Sequence, residues 1–172
     1  MTDSQEKLLR MIKQKVNHHS TNDNKKEIVP NTVTFNTKNS PQLYQGELKS
    51  GKKHGHGTLI SEDGMIIYEG LWKNDQYHGA GILLNHNPRD PLKGTFSTIE
   101  KNSIIPSRQA GDWIKYSGSF VEGKWEGFGQ LFAANGDKYV GQFKNDKAYG
   151  KGEFISQDGR VWKGEWQDNF LV

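Results

Sequence analysis

Two histidines in alternation, His54-Gly-His56, are the best-placed metal ligands in this chain, because residues i and i+2 of a strand share one face. Zinc held structurally takes four ligands, and a catalytic zinc takes three from the protein. No third ligand stands at a fitting spacing. His54 also shares its place, just before a Gly-x-Gly, with His78, Glu126 and Tyr149 elsewhere in the chain. The place accepts bulky polar side chains, and the pair reads as structural. Gly55-His-Gly57 superficially matches a phosphate-cradling loop, but the following helix and the Lys-Ser/Thr that bind phosphate are missing. Asp and Glu are plentiful without a pair that spacing singles out as acid and base. There is no cysteine and no serine-nucleophile motif. No catalytic residue, metal or cofactor is expected.

What does recur is a ring beside a glycine. Tyr44-Gln-Gly46-Glu-Leu48, Tyr68-Glu-Gly70-Leu-Trp72, Leu92-Lys-Gly94-Thr-Phe96, Tyr116-Ser-Gly118-Ser-Phe120, Tyr139-Val-Gly141-Gln-Phe143 and Trp162-Lys-Gly164-Glu-Trp166 begin about 23–24 residues apart. In four of these units a Gly-x-Gly follows, starting at Gly55, Gly79, Gly127 and Gly150, and in three a further glycine, Gly64, Gly136 or Gly159, comes later. Each unit reads as strand, turn, return strand, turn. Ring and glycine share a face in the period-2 pattern, so a ring can lie flat over the glycines of the neighbouring strand. Gly51, Gly123 and their counterparts Asp75, Asp146 and Asn169 fall at the hairpin tips, where positive φ is needed.

This combination of Tyr-x-Gly-x-aromatic, Gly-x-Gly and a later glycine resembles the MORN repeat (membrane occupation and recognition nexus) over residues 44–172. The resemblance implies a mainly β fold: an elongated single-layer antiparallel meander of hairpins, used for binding or scaffolding and without activity of its own. The units start at 44, 68, 92, 116, 139 and 162, the last being a half unit. The unit at Leu92 is degenerate, with Ser103, Ile105 and Pro106 where Gly-x-Gly belongs, and an altered hairpin is expected around Lys101 to Gln109. A hydrophobic content of 33% with 11% aromatics and 20 glycines suits a one-layer sheet stabilised by neighbour contacts. At about 4.8 Å per strand, some eleven strands make a blade about 50 Å long.

Residues 1–43 are different. Leu8, Ile12 and Val16 recur at i, i+4 and i+8 behind a capping box at Thr2-Asp-Ser-Gln5, which predicts an amphipathic helix over about 4–16. Lys7, Arg10, Lys13 and Lys15 form its opposite face. A polar linker follows, in which Val33-Thr-Phe35 is a candidate for one short strand. Lys and Arg number 7 against 4 Asp and Glu in residues 1–43, and 16 against 16 in residues 44–172. The repeat region therefore has no broad pull on nucleic acid or anionic lipid. Neither a secretory leader nor a spanning apolar run is present in the sequence, so a cytoplasmic protein is expected.

A single layer cannot cover both faces, so part of the aromatic stripe is expected to stay open as a partner-binding groove. Its residues are Tyr68, Trp72, Tyr116, Phe120, Tyr139, Phe143, Trp162, Trp166 and Phe170. The helix would dock through Leu8, Ile12 and Val16. The sixth unit stops where its return strand would start, which leaves an edge for a second copy or another strand, or for Phe170 and Leu171 to fold over as a cap. The expected function is a scaffold or adaptor binding other proteins. The resemblance implies cytoskeletal company, in particular a cilium or axoneme. A peripheral membrane adaptor, anchored on anionic lipid by the basic helix, is the alternative. The resemblance offers an enzyme as a third reading, since some relatives carry a methyltransferase domain behind such repeats; no activity is expected of this chain.

Overall fold

The computed structural model describes residues 31–37, 40–88, 105, 108 and 111–172. The helix predicted over 4–16, with Leu8, Ile12 and Val16, lies outside the described residues. Eleven strands are described: β1 (Asn31–Thr37), β2 (Ser40–Lys49), β3 (Lys52–Ser61), β4 (Ile66–Lys73), β5 (Gln76–Leu84), β6 (Trp113–Val121), β7 (Lys124–Ala133), β8 (Lys138–Lys144), β9 (Lys147–Ile155), β10 (Val161–Gln167) and β11 (Phe170–Leu171). They form one antiparallel sheet in chain order, the meander that the repeat predicted. The candidate strand Val33–Phe35 is the centre of β1.

Five hairpin tips have two central residues, both with positive φ: Ser50-Gly51, Asn74-Asp75, Glu122-Gly123, Asn145-Asp146 and Asp168-Asn169. This conformation matches the right-handed twist of the flanking strands and selects Gly, Asn and Asp. The tips are bonded to one another. Lys53 N–H donates to Asp75 Oδ1 at 2.8 Å, and Asp75 N–H donates in return to the Lys53 carbonyl at 3.1 Å. Trp125 and Asp146 repeat the exchange at 2.8 and 3.1 Å, and Ala148 and Asn169 at 2.7 and 3.2 Å.

The register aligns one glycine per strand. Gly46, Gly57, Gly70, Gly81, Gly118, Gly129, Gly141, Gly152 and Gly164 face one another successively from β2 to β10. Gly81 pairs directly with Gly118, so β5 and β6 are neighbours. This corrects the expected place of the unit at Leu92: no strand of it lies between the units at Tyr68 and Tyr116. The physical reason is that the glycine row and the ring row both continue unbroken from β5 to β6 without it. Residues 92–96 themselves lie outside the described residues. Within residues 89–110, two are described. Ile105, 3% exposed, joins the core, and Arg108 lies over the Trp125 ring.

The half unit needs a correction as well. After Trp166 the chain turns at Asp168-Asn169, and β11 pairs Leu171 with Trp166 and Phe170 with Gln167. A short return strand is present, extended by Val172 N–H donating to the Glu165 carbonyl at 3.0 Å. The tail thus turns back onto β10 as a strand.

Candidate functional site

Each unit tyrosine lies along its strand rather than upright. A Cβ on Gly129 would stand 2.6 Å from the Tyr116 hydroxyl and 2.7 Å from its Cζ, and Gly57, Gly81 and Gly152 lie likewise beneath Tyr44, Tyr68 and Tyr139. The hydroxyl is held in place by a bulge. The register slips between Gly46 and Leu48, Gly70 and Trp72, Gly118 and Phe120, and Gly141 and Phe143. The tyrosine donates to the carbonyl of the residue passed over: Glu47 at 2.9 Å, Leu71 at 2.8 Å, Ser119 at 3.0 Å and Gln142 at 3.2 Å. Burial raises the hydroxyl pKa of all four tyrosines, that of Tyr44 to about 12, because the phenolate would lose its water.

The two glycines of Gly-x-Gly have different tasks. Gly127 has φ 72°, a left-handed conformation that a side chain resists, whereas Gly129 is extended and serves as floor under the ring. The Glu47 carboxylate spans the bulge of its own unit, accepting the His56 N–H at 2.7 Å. These glycines build a ring seat and not a phosphate loop.

The rings close over one another. Tyr44, Trp72, Tyr68, Phe120, Tyr116, Phe143, Tyr139 and Trp166 form one zigzag of edge-to-face contacts with centroids 5.0–5.3 Å apart. Each such pair adds about 0.5–1.5 kcal/mol beyond its area. Tyr77 stacks on Tyr68 and Trp125 on Tyr116. The result corrects the expected open groove. Tyr68, Trp72, Tyr116, Phe120, Tyr139, Phe143 and Trp166 are all under 5% exposed, so the stripe fills its own groove. Trp162 and Phe170 alone among the named rings are half-buried. His54 is half-buried and His56 exposed, and among the described residues no three of His, Asp and Glu come together as a metal site.

The opposite face was not singled out by the aromatic spacing. There the x of each Gly-x-Gly points outward, and in the unit at Tyr116 that residue is Phe128, 61% exposed. Phe128 and Val140 border a shallow trough of about 460 Å³ whose floor is the backbone of Gly141, Gly152 and Gly164. Lys151 and Glu153 on β9 and Lys163 and Glu165 on β10 complete it, with Lys163 paired to Glu153 at 2.8 Å. Nearby, the Lys115 and Lys138 ammonium groups lie 5.6 and 5.2 Å from the Phe132 ring, and Lys144 lies 5.0 Å from that of the exposed Tyr149. An exposed ring in an apolar-floored trough with paired charges along its side suits contact with another protein. The sequence signal was available: a large apolar residue between two glycines has the parity of the outer face.

No residue set for catalysis gathers on either face among the described residues. Nor is any described helix long and apolar enough to cross a membrane. No curated protein matches the chain. The MORN repeat model matches at residues 44–66, 68–85, 116–138 and 139–159, four stretches that coincide with the units built on Tyr44, Tyr68, Tyr116 and Tyr139. Repeats of this kind are in general protein- or lipid-binding modules and typically non-enzymatic. On the matched stretches and the ring-on-glycine geometry that fills them, the chain belongs to the MORN-repeat family.

Proposed function

We propose that this protein is a non-enzymatic scaffold that binds other proteins through the outer face of its sheet, as a subunit of a cytoskeletal assembly of the ciliary or axonemal kind. One observation carries the reading. The ring face is closed by its own side chains, while the outer face keeps Phe128 61% exposed beside Val140 in a trough. Isolated surface apolar residues are ordinary, but a ring over a glycine-floored depression with ordered charges at its side is a candidate contact centre. Trp162 and Phe170, half-buried at the C-terminal end of the sheet, are secondary contact candidates. So is the free side of Val161–Gly164 for a second copy, since β11 pairs only with Trp166 and Gln167.

The test is proximity labelling of the tagged chain in a ciliated cell, beside a Phe128→Ser/Val140→Ser variant. The proposal expects cytoskeletal neighbours that the wild type labels and the variant loses. An unchanged neighbour set would remove the outer face from the function. The charge surplus of residues 1–43 favours one further reading, attachment to anionic membrane by residues 4–16. Deleting residues 1–30 would release the chain from membranes under that reading and leave it in place under the first.

A further inference from the structure

The two long edges of the sheet, one made of the hairpin tips and the other of the turns between units, carry opposite charge among the described residues. Lys49 and Lys52 flank the first tip, Lys73 the second, Lys124 the third, and Lys144 and Lys147 the fourth, all exposed. Two acids of this edge are engaged by neighbouring tips: Asp75 by the Lys53 N–H, and Asp146 by the Trp125 N–H and Arg108. Glu122 and Asp168 remain outward, and Asp168 is paired with Lys147 at 3.0 Å. On the other edge stand Glu62 and Asp63 in the first turn, Asp137 in the turn between β7 and β8, and Asp158 in the turn between β9 and β10. Its described cations are fewer, Lys138 over the Phe132 ring and Arg160 paired with Asp158 at 2.7 Å. The even balance of residues 44–172 conceals this segregation.

Strands of seven to ten residues at about 3.3 Å per residue hold the edges some 23–33 Å apart, several times the roughly 8 Å screening length at physiological salt. The edges therefore act as separate surfaces. On the tip edge lysines stand at four successive tips, every second strand and so about 10 Å apart, and on the turn edge the acids stand at the β3–β4, β7–β8 and β9–β10 turns. We propose that the edges are the two halves of one self-interaction, in which the lysine-bearing tips of one copy lie along the acidic turns of a second. Such a head-to-tail contact leaves both outer edges free and continues into a side-by-side row. One partner, a second copy of this chain, accounts for both charged edges. An anionic lipid surface would account only for the lysines.

The test is sedimentation velocity on the full chain over a range of concentration. Self-association is expected at about 50 mM salt and is weakened at least about tenfold at about 300 mM. A tip variant, Lys49→Glu/Lys73→Glu/Lys124→Glu, and a turn variant, Glu62→Lys/Asp158→Lys, change exposed side chains only, and unaltered melting temperatures would establish that both fold. Each alone is expected to stay monomeric at low salt. Mixed, they place reversed tips against reversed turns and native tips against native turns, and association is expected to return. A wild type that stays monomeric at low salt, variants that associate like wild type, or a mixture that stays apart would each overturn the proposal. Sedimentation of a monomeric wild type with phosphatidylserine-containing vesicles, lost in the tip variant, would overturn it in favour of an anionic surface.

Discussion

The two faces of this sheet share one backbone and one glycine row, yet they differ in what each can lose. On the ring face Tyr68, Tyr116 and Tyr139 each have a floor, a hydroxyl acceptor and an aromatic neighbour on either side. On the outer face, side chains meet mostly across strands, and Phe128 stands free. The contrast shows how a single layer reaches full burial without a second sheet. Rings laid flat on glycine cover one another, and stability is confined to one side. The other side is left to vary, and contact with partners is placed there without cost to the fold.

The largest expected effect breaks the ring face. A valine at Gly118 or Gly141 brings a Cβ within 2.6 Å of the facing glycine Cα, and within 2.7 and 2.5 Å of the tyrosine hydroxyl. Backbone cannot yield as a flexible side chain would, so about 3 kcal/mol should be lost, at the upper end for overpacking. Urea titration of both variants measures it, and values near zero would mean that the rings do not need the floor. Next comes Arg108→Ala. It removes the 2.7 Å ion pair that satisfies the buried Asp146 and the cation over Trp125, and should cost about 1–3 kcal/mol. A midpoint unchanged in the same titration would mean that the segment before β6 is not pinned to the ring face at this point.

Alkali distinguishes the faces without mutation. The folded-state pKa of Tyr44, Tyr68, Tyr116 and Tyr139 is raised above the ordinary value near 10, so the folded state holds these protons more tightly than the unfolded chain. Their contribution is complete below about pH 10 and is lost progressively as the pH rises through that value towards about 12 and beyond. Melting temperatures should be level from neutrality to about pH 9.5 and then fall. A level profile to pH 12 would contradict the flat, hydroxyl-bonded seat. The smallest effect belongs to the outer face. Phe128→Ser, or replacement of the tip residue Lys124, should shift stability by no more than about 0.5 kcal/mol. A loss comparable to that of Gly118→Val would abolish the distinction between the faces.

Much of this was legible in the residues. Tyr-x-Gly-x-Phe at 116–120 and Gly-x-Gly at 127–129 specify two strands and the face on which ring and glycine meet, because alternation in a strand leaves no other choice. Asn145-Asp146 and Glu122-Gly123 mark tips for an equally local reason, their tolerance of positive φ. Phase along the chain does not decide pairing: Leu92 keeps the repeat length, yet Gly81 pairs with Gly118 directly, since register is decided between strands and not along one. The openness of the aromatic stripe was misjudged because the seat depends on the bulge at Ser119, which frees a carbonyl for the Tyr116 hydroxyl and turns the ring down.

By itself the sequence determined the strands, their turns, the family and the side of each strand that carries rings, all consequences of local dihedral preference and period-2 alternation. Tertiary structure alone decided three matters: that β5 joins β6, that the ring row closes on itself, and that charges evenly balanced along the chain separate onto opposite edges. Each of these depends on which distant residues become neighbours. That is settled by the summed fit of rings, glycines and hydrogen bonds across the sheet, which no stretch of chain contains within itself.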